Sequence, residues 1–149
     1  MKRLKVYLDN CCFNRPYDDQ TQLKISLETK AKLFIQDLVV NNEIDLVWSY
    51  MVEFENNDNP YHYKQTAIAE WRGLSAEVIK ENEEIITNAE AIMQTGVKNK
   101  DAIHIACAIY ANCDYIITTD DRALKHKTDK IVIANPLDFI KDWSDRNDG

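Results

Sequence analysis

The feature that most constrains the fold of this chain is a regular alternation of short apolar segments with longer amphipathic ones. Residues 4–8 alternate apolar and polar side chains and are rich in strand formers, which predicts a first strand that ends at Asp9. Apolar residues at steps of three and four predict a long helix over residues 20–41, and residues 44–48 predict a second strand. Strands that are separated by helices pair in parallel through right-handed crossovers. The order therefore predicts a single α/β domain with a central parallel sheet and helices on both faces.

The same alternation continues to the end of the chain. We predict a loop over residues 10–19, and Ser49 is a plausible N-cap for a short helix over residues 50–56. The next segments predict a helix over 61–72 and a further helix that Ser75 caps, with Val78 and Ile85 on its apolar face. The remaining expected elements are a helix over 100–111, strands over 115–118 and 130–134, and a last helix over 136–143.

The bulk properties of the chain limit its location and its number of domains. Its 149 residues are 45% hydrophobic, which fits one domain over residues 1–149. No apolar run approaches the ~20 residues that cross a bilayer, and the N-terminus lacks the apolar segment of a signal peptide. We therefore expect a soluble, cytoplasmic protein without membrane contact. The four cysteines show neither zinc spacing nor a disulfide pattern, and we expect reduced thiols.

Acidic side chains lie where strands of a parallel sheet would end. Asp9 follows the first strand, Glu53 lies one turn into the helix after the second, and Asp120 follows the strand over 115–118, while Asp101 begins a helix. Ligand sites of such sheets lie at the carboxyl ends of the strands. Carboxylates crowded there repel one another unless a cation is present, and hard oxygen ligands suit Mg²⁺ or Mn²⁺. The alternative is ordinary capping, because aspartate is common at turns and helix starts.

Other side chains have both a functional and a structural interpretation. His104 lies three residues after Asp101 on one helix face, as in a mixed metal site, but we expect a hydrogen-bonded packing role. Cations near the predicted sheet edge either contact the phosphates of a ligand or form solvated surface; they are Arg15, Lys98, Lys100, Arg122 and Lys125. The tryptophans 48, 71 and 143 either stack on bases or, as we expect, pack in the core.

Four segments in this order resemble the successive motifs of PIN domains, closest to the VapC-like proteins of bacterial toxin–antitoxin pairs. They are residues 6–11, 49–53, 101–106 and 117–121. The resemblance implies a metal-dependent endoribonuclease that acts on RNA, with Mg²⁺ or Mn²⁺ held by Asp9, Glu53, Asp101 and Asp120. It also implies a homodimer and an antitoxin partner.

Two positions of this resemblance have competitors nearby. Glu55 competes with Glu53, and because the two point roughly 200° apart on a helix only one can face the pocket. The spacing from Ser49 favours Glu53. Asp121 competes with Asp120, which is preferred because it directly follows Thr118 and Thr119.

Two other functions remain open from the sequence. The net charge of −7 opposes phosphate binding and favours a catalytically silent PIN fold that binds a basic partner through its acidic pocket. A phosphotransfer module of the receiver or haloacid dehalogenase type also holds Mg²⁺ at strand ends. Those modules need an early acidic pair or an Asp-x-Asp nucleophile, whereas Asn10 and Cys11 follow Asp9.

Overall fold

The computed structural model describes residues 3–148 and contains a five-stranded, wholly parallel sheet. Its strands are β1 (Lys5–Leu8), β2 (Asp45–Ser49), β3 (Glu77–Ile79), β4 (Tyr115–Ile117) and β5 (Val132–Ala134). The spatial order is β3-β2-β1-β4-β5, which makes β1 the central strand. In the register, Val6 lies between Leu46 of β2 and Tyr115 of β4.

Helices connect the strands and cover the sheet. They are α1 (Asn10–Asn14), α2 (Leu23–Val40), α3 (Tyr50–Asn57), α4 (His62–Gly73), α5 (Glu83–Met93), α6 (Asn99–Tyr110), α7 (Asp121–Leu124) and α8 (Pro136–Asp148). From the central strand β1 the chain first adds β2 and β3 on one side, then returns to add β4 and β5 on the other side. Right-handed crossovers in these two directions place the two sets of helices on opposite faces of the sheet. The predicted α/β class with a central parallel sheet is confirmed.

The third strand was not expected, and the helix predicted there is wrong in its first part. Val78 lies in β3 opposite Trp48 of β2, and Ser75 donates its hydroxyl to the Trp71 carbonyl at 2.8 Å instead of capping a helix. The cap of α5 is Asn82, whose side chain accepts from the Ile85 amide. A strand of three residues is too short to show a period of two, so pairing with β2 decided its conformation.

The loop predicted over residues 10–19 is also partly helical. It contains α1 and a 3₁₀ turn at Arg15–Tyr17. Arg15 is fixed there by ion pairs with Asp18 and with the fully buried Glu28, both at 3.0 Å. Its guanidinium is therefore engaged inside the protein, contrary to the phosphate contact considered from the sequence.

The core lies on both sides of β1, β2 and β4. The side chains of Val6, Tyr7 and Leu8 are fully buried, and Trp48 is among the largest buried side chains, as expected for a core tryptophan. Cys107 is buried in α6, and all four cysteines are free thiols. Within residues 3–148, the helices are too short or too polar to cross a membrane.

Candidate functional site

Asp9 leaves the central strand at the carboxyl edge of the sheet and is almost completely buried. It is the N-cap of α1, where its Oδ1 accepts from the Cys12 amide at 3.2 Å and from the Cys11 thiol at 2.8 Å. Burial, which penalises the ionised form, raises the pKa of Asp9 well above its usual value. A capping role thus exists for Asp9, but it does not explain why a carboxylate, with its higher desolvation cost, occupies the position.

His104 is the centre of a buried hydrogen-bonded chain. Its Nδ1 lies 2.5 Å from the Tyr7 hydroxyl, its Nε2 contacts Glu55, and the Tyr7 hydroxyl lies 2.6 Å from Ser49 Oγ. Ser49 Oγ in turn accepts from the Val52 amide as the N-cap of α3. When His104 carries its single proton on Nε2, every group of this chain has a partner. Ser49 Oγ then donates to the Tyr7 hydroxyl, that hydroxyl donates to Nδ1, and Nε2–H donates to the Glu55 carboxylate. The chain fixes the orientation of Glu55 from the core outwards.

The two glutamates of α3 have different surroundings. Glu53 forms an ion pair with Arg72 of α4 at 2.6 Å, and the two side chains are 42% and 51% exposed. Glu55 contacts His104, and its negative charge contributes to raising the pKa of Asp101. The structure therefore brings Glu55 towards the other carboxylates and leaves Glu53 on the surface, in contrast to the preference based on the spacing from Ser49.

Asp101 and Asp120 approach each other from the starts of α6 and α7. Burial raises the pKa of Asp101, and the negative charge of Asp120 raises it further. Asp120 is held by two bonds, since its amide donates to Thr118 Oγ1 at 3.0 Å and its Oδ1 accepts from the Arg122 amide at 2.9 Å. Asp121 points to the surface, where it pairs with Lys24 of α2.

The structure thus gathers four acids, which we call the acidic group: Asp9, Glu55, Asp101 and Asp120. Among residues 3–148, one group of three side chains has its possible metal-ligating atoms within 4.8 Å of one another. It consists of Asp9, Cys11 and Cys12. No three carboxylates of the acidic group therefore have their oxygens within 4.8 Å of one another. Mg²⁺ keeps several of its waters and takes one or two protein carboxylates, so it does not need all four side chains in direct contact with it.

An unsatisfied amide oxygen adds to this fit. Asn10 Oδ1 is buried and has no hydrogen-bond partner among the described residues. Asn10 lines the same cleft as Glu55. A buried acceptor without a donor is unfavourable and is relieved by a cation or by a water bound to one. The oxygen-rich donor set therefore fits a hard divalent cation.

Sequence reasoning missed some functional features and found others. The expected hydrogen-bonded role of His104 agrees with its two contacts, and Ser49 is the predicted cap. The link between them through Tyr7 was missed because an aromatic residue in a buried strand carries no signal of a polar partner. The sequence offered both Glu53 and Glu55, and the contact of Glu55 with His104 is a tertiary feature that the sequence does not show.

Comparisons with known proteins agree with this fold. The PIN domain family model matches residues 6–130. The structure is similar to the crystal structure of VapBC2 from Rickettsia felis bound to a DNA fragment from their promoter, with a TM-score of 0.55 at 12% identity over 89% of this chain and 98% of that one. It is also similar to DNA-bound VapBC from Salmonella typhimurium, with a TM-score of 0.56 at 14% identity and the same coverage. No curated protein matches the sequence.

Proposed function

Because this chain belongs to the PIN domain family, we propose that it is a divalent-metal-dependent endoribonuclease and the toxin of a toxin–antitoxin pair. The observation that carries the proposal is the acidic group at the carboxyl edge of the sheet. The chain buries Asp9 there against its desolvation cost, and it positions Glu55 through His104. An arrangement that is unfavourable without a cation is best explained by a cation that belongs to the function.

The members of the acidic group have separable tasks. We assign Asp9, Glu55 and Asp120 to holding Mg²⁺ or Mn²⁺. The contacts described above favour Glu55 over Glu53, which the spacing from Ser49 had favoured. When bound, the ion supplies positive charge next to the phosphodiester, where negative charge develops in the transition state. The raised pKa of half-buried Asp101 suits it to accept the proton of the attacking water.

The test is the substitution Asp9→Asn, which keeps the shape of the side chain and removes its charge. We expect this variant to fold, because the amide can still cap α1, and to lose cleavage of a single-stranded RNA by about 100-fold or more in Mn²⁺. The melting temperature gives a second measurement, since an ion that binds the folded protein raises it. Mn²⁺ should raise the melting temperature of the wild type and not that of Asp9→Asn. Equal cleavage by both proteins would exclude this role of Asp9.

A protein partner is the second part of the proposal. The two structural neighbours are VapBC complexes, and the net charge of −7 favours association with a basic segment of another chain. A catalytically silent protein that binds such a partner through the acidic group is the alternative function. It predicts no cleavage in Mg²⁺ or Mn²⁺, together with binding of a basic peptide that Asp9→Asn weakens. Light scattering of the purified chain tests the proposed homodimer.

A further inference from the structure

Two cysteines adjoin Asp9 at the end of the central strand, and the nuclease proposal leaves them without a task. The thiols of Cys11 and Cys12 and the carboxylate of Asp9 offer three ligand atoms that lie within 4.8 Å of one another. We call these three residues the thiol cluster. Adjacent cysteines do not have the paired spacing of zinc motifs, and folding adds the third ligand from the end of β1. The cluster is therefore a candidate ion site that the sequence did not indicate.

The spacing of the thiol cluster suits four-coordinate Zn²⁺. Zinc binds sulfur at about 2.3 Å and carboxylate oxygen at about 2.1 Å in a tetrahedron, so two ligand atoms of one ion lie about 3.6–3.8 Å apart. The atom pairs of the cluster range from 2.8 Å, between Cys11 Sγ and Asp9 Oδ1, to at most 4.8 Å. Changes of about 1 Å bring every pair to the separation that the ion requires. Three protein ligands leave the fourth position of the ion to water.

The two thiols lose little when they exchange their present partners for an ion. Cys11 donates to Asp9 Oδ1 at 2.8 Å, and Cys12 donates to the Ile117 carbonyl at 3.2 Å. A thiol is a weak donor, and the Ile117 carbonyl keeps a second bond, from the Asp9 amide at 3.3 Å. A coordinated thiol gives up its proton, so both thiol protons pass to the solvent as the ion binds. Cys11 is the partly exposed member, and an ion from the solvent meets its sulfur first.

The surroundings of the cluster supply the charge and the hydrogen bond that a bound ion needs. Two thiolates and one carboxylate around Zn²⁺ retain one negative charge, and a buried charge needs a partner. Lys32 of α2 is 3% exposed, and its ammonium acts on the Cys12 sulfur. Among the described residues, no carboxylate lies within 4.0 Å of that ammonium. Thr118 Oγ1 lies 3.4 Å from Cys11 Sγ and accepts from the Asp120 amide, so its own proton can donate to the sulfur.

We propose that the thiol cluster binds one thiophilic divalent cation of the Zn²⁺ class, and that this ion excludes the hard cation of the acidic group by taking Asp9. Thiolate sulfur selects Zn²⁺ over Mg²⁺ and Mn²⁺, which prefer oxygen ligands. Asp9 belongs to both ligand sets, so the two kinds of ion compete for one carboxylate. The binding stands independently, whereas its consequence, inhibition of cleavage by Zn²⁺, rests on the proposed nuclease function.

The first experiment measures binding of Cd²⁺, which shares the preference of Zn²⁺ for thiolates and gives ultraviolet charge-transfer absorption when they bind it. The reduced, metal-free chain is titrated with Cd²⁺. We expect this absorption to saturate at one ion per chain and to disappear when Zn²⁺ displaces the Cd²⁺. A wild-type chain that shows no charge-transfer absorption with Cd²⁺ in excess would overturn the proposal.

Three variants identify the ligands in this titration. Cys11→Ser removes one sulfur and keeps a hydroxyl that donates to Asp9. Loss of an outer-shell partner costs about 10–100-fold in metal affinity, so loss of a ligand should weaken Cd²⁺ binding by at least about 100-fold. Asp9→Asn should weaken it as well, whereas the control Cys113→Ser, which removes a buried thiol before β4, should not. Wild-type affinity in Cys11→Ser would refute the cluster, and wild-type affinity in Asp9→Asn would refute the shared carboxylate.

The second experiment tests the competition between the two ions. Cleavage of a single-stranded RNA in Mn²⁺ is titrated with Zn²⁺ for the wild type and for Cys11→Ser. We expect Zn²⁺ to abolish cleavage by the wild type, and a chelator followed by fresh Mn²⁺ to restore it. Cys11→Ser should need at least about tenfold more Zn²⁺ for half inhibition, because the ion loses a sulfur ligand. Equal sensitivity of the two proteins to Zn²⁺ would refute the competition.

The outcomes distinguish this inference from the nuclease proposal. Cd²⁺ binding that depends on Cys11, without cleavage in Mn²⁺, would refute the nuclease and support the thiophilic site. Cleavage in Mn²⁺ by a chain that shows no charge-transfer absorption would refute the site and support the nuclease. A chain with Zn²⁺ bound at the cluster that still cleaves RNA as fast as the Mn²⁺ form would refute the inhibition.

Discussion

Glu53 and Glu55 lie two residues apart on α3, and substituting each by glutamine gives a matched pair of variants. The Glu53 side chain is 42% exposed and pairs with Arg72, which is 51% exposed. Exposed ion pairs of this kind contribute about 0.2–1 kcal/mol. For a chain of this length, that loss lowers the melting temperature by at most about 4 °C. Glu53→Gln should therefore change stability slightly and leave cleavage within about twofold.

Glu55→Gln removes a charge from the acidic group itself. The amide still accepts from His104 Nε2, so the buried chain through Tyr7 persists and the fold is retained. An interaction with charge that develops in the transition state is worth several kcal/mol, and about 2.7 kcal/mol corresponds to a 100-fold loss of rate. We expect cleavage to fall by about 100-fold or more.

The assay is the initial rate of cleavage of a single-stranded RNA reporter in Mn²⁺, read beside the melting temperature of each metal-free variant. Arg72→Ala provides a control, because it breaks the same surface pair from the other side and should behave as Glu53→Gln does. The reasoning is refuted if Glu53→Gln cleaves tenfold more slowly than the wild type while Glu55→Gln stays within twofold of it.

Two further predictions concern groups behind the site. Burial lowers the pKa of Lys32 from 10.5 to about 8, so between these pH values the unfolded chain binds more protons than the folded one and the free energy of unfolding rises with pH. Lys32→Met should abolish that rise in urea denaturation, and an unchanged pH dependence in the variant would contradict the assignment. Tyr7→Phe leaves His104 Nδ1 without its partner and should lower the free energy of unfolding by about 1–3 kcal/mol and reduce kcat more than KM. Tyr115→Phe, which removes a bond to Asp142 away from the site, should leave both kinetic constants unchanged; a loss of kcat there would show that the effect is general.

The fold was largely predictable because its main elements are long or strongly patterned. The helix α2 has 18 residues, and its apolar spacing is visible without any knowledge of its neighbours. The strand β3 has three residues and depends on its pairing with β2, a long-range contact that local patterns do not record. The sequence did not indicate α1 for a similar reason. Its five residues are too few to show a helical period, and the side chain of Asp9 caps its first turn.

The candidate site was predictable in its location and less so in its members. Asp9 directly follows β1 and Asp120 lies three residues after β4, so the end of the strand largely fixes the position of each. A glutamate on a helix depends on how that helix is rotated about its axis. Ser49 and Tyr7 set that rotation together, through a hydroxyl contact between two different strands. The proposed assignment of Glu55 instead of Glu53 therefore depends on the tertiary structure.

The net charge of −7 remains the strongest sequence argument against an RNA substrate, and the distribution of charge weakens it. At physiological ionic strength the Debye length is about 8 Å, so a phosphate responds mainly to charges in its immediate surroundings. In the cleft between the start of α6 and the segment after α7 these charges are Lys98, Arg122, Lys125 and Lys127, opposed by Asp101. Acidic residues elsewhere slow the first approach of RNA and reduce non-specific binding, but they act weakly on a strand already in the cleft. A net charge of −7 therefore does not oppose the proposed RNA substrate at a cleft whose immediate surroundings are basic.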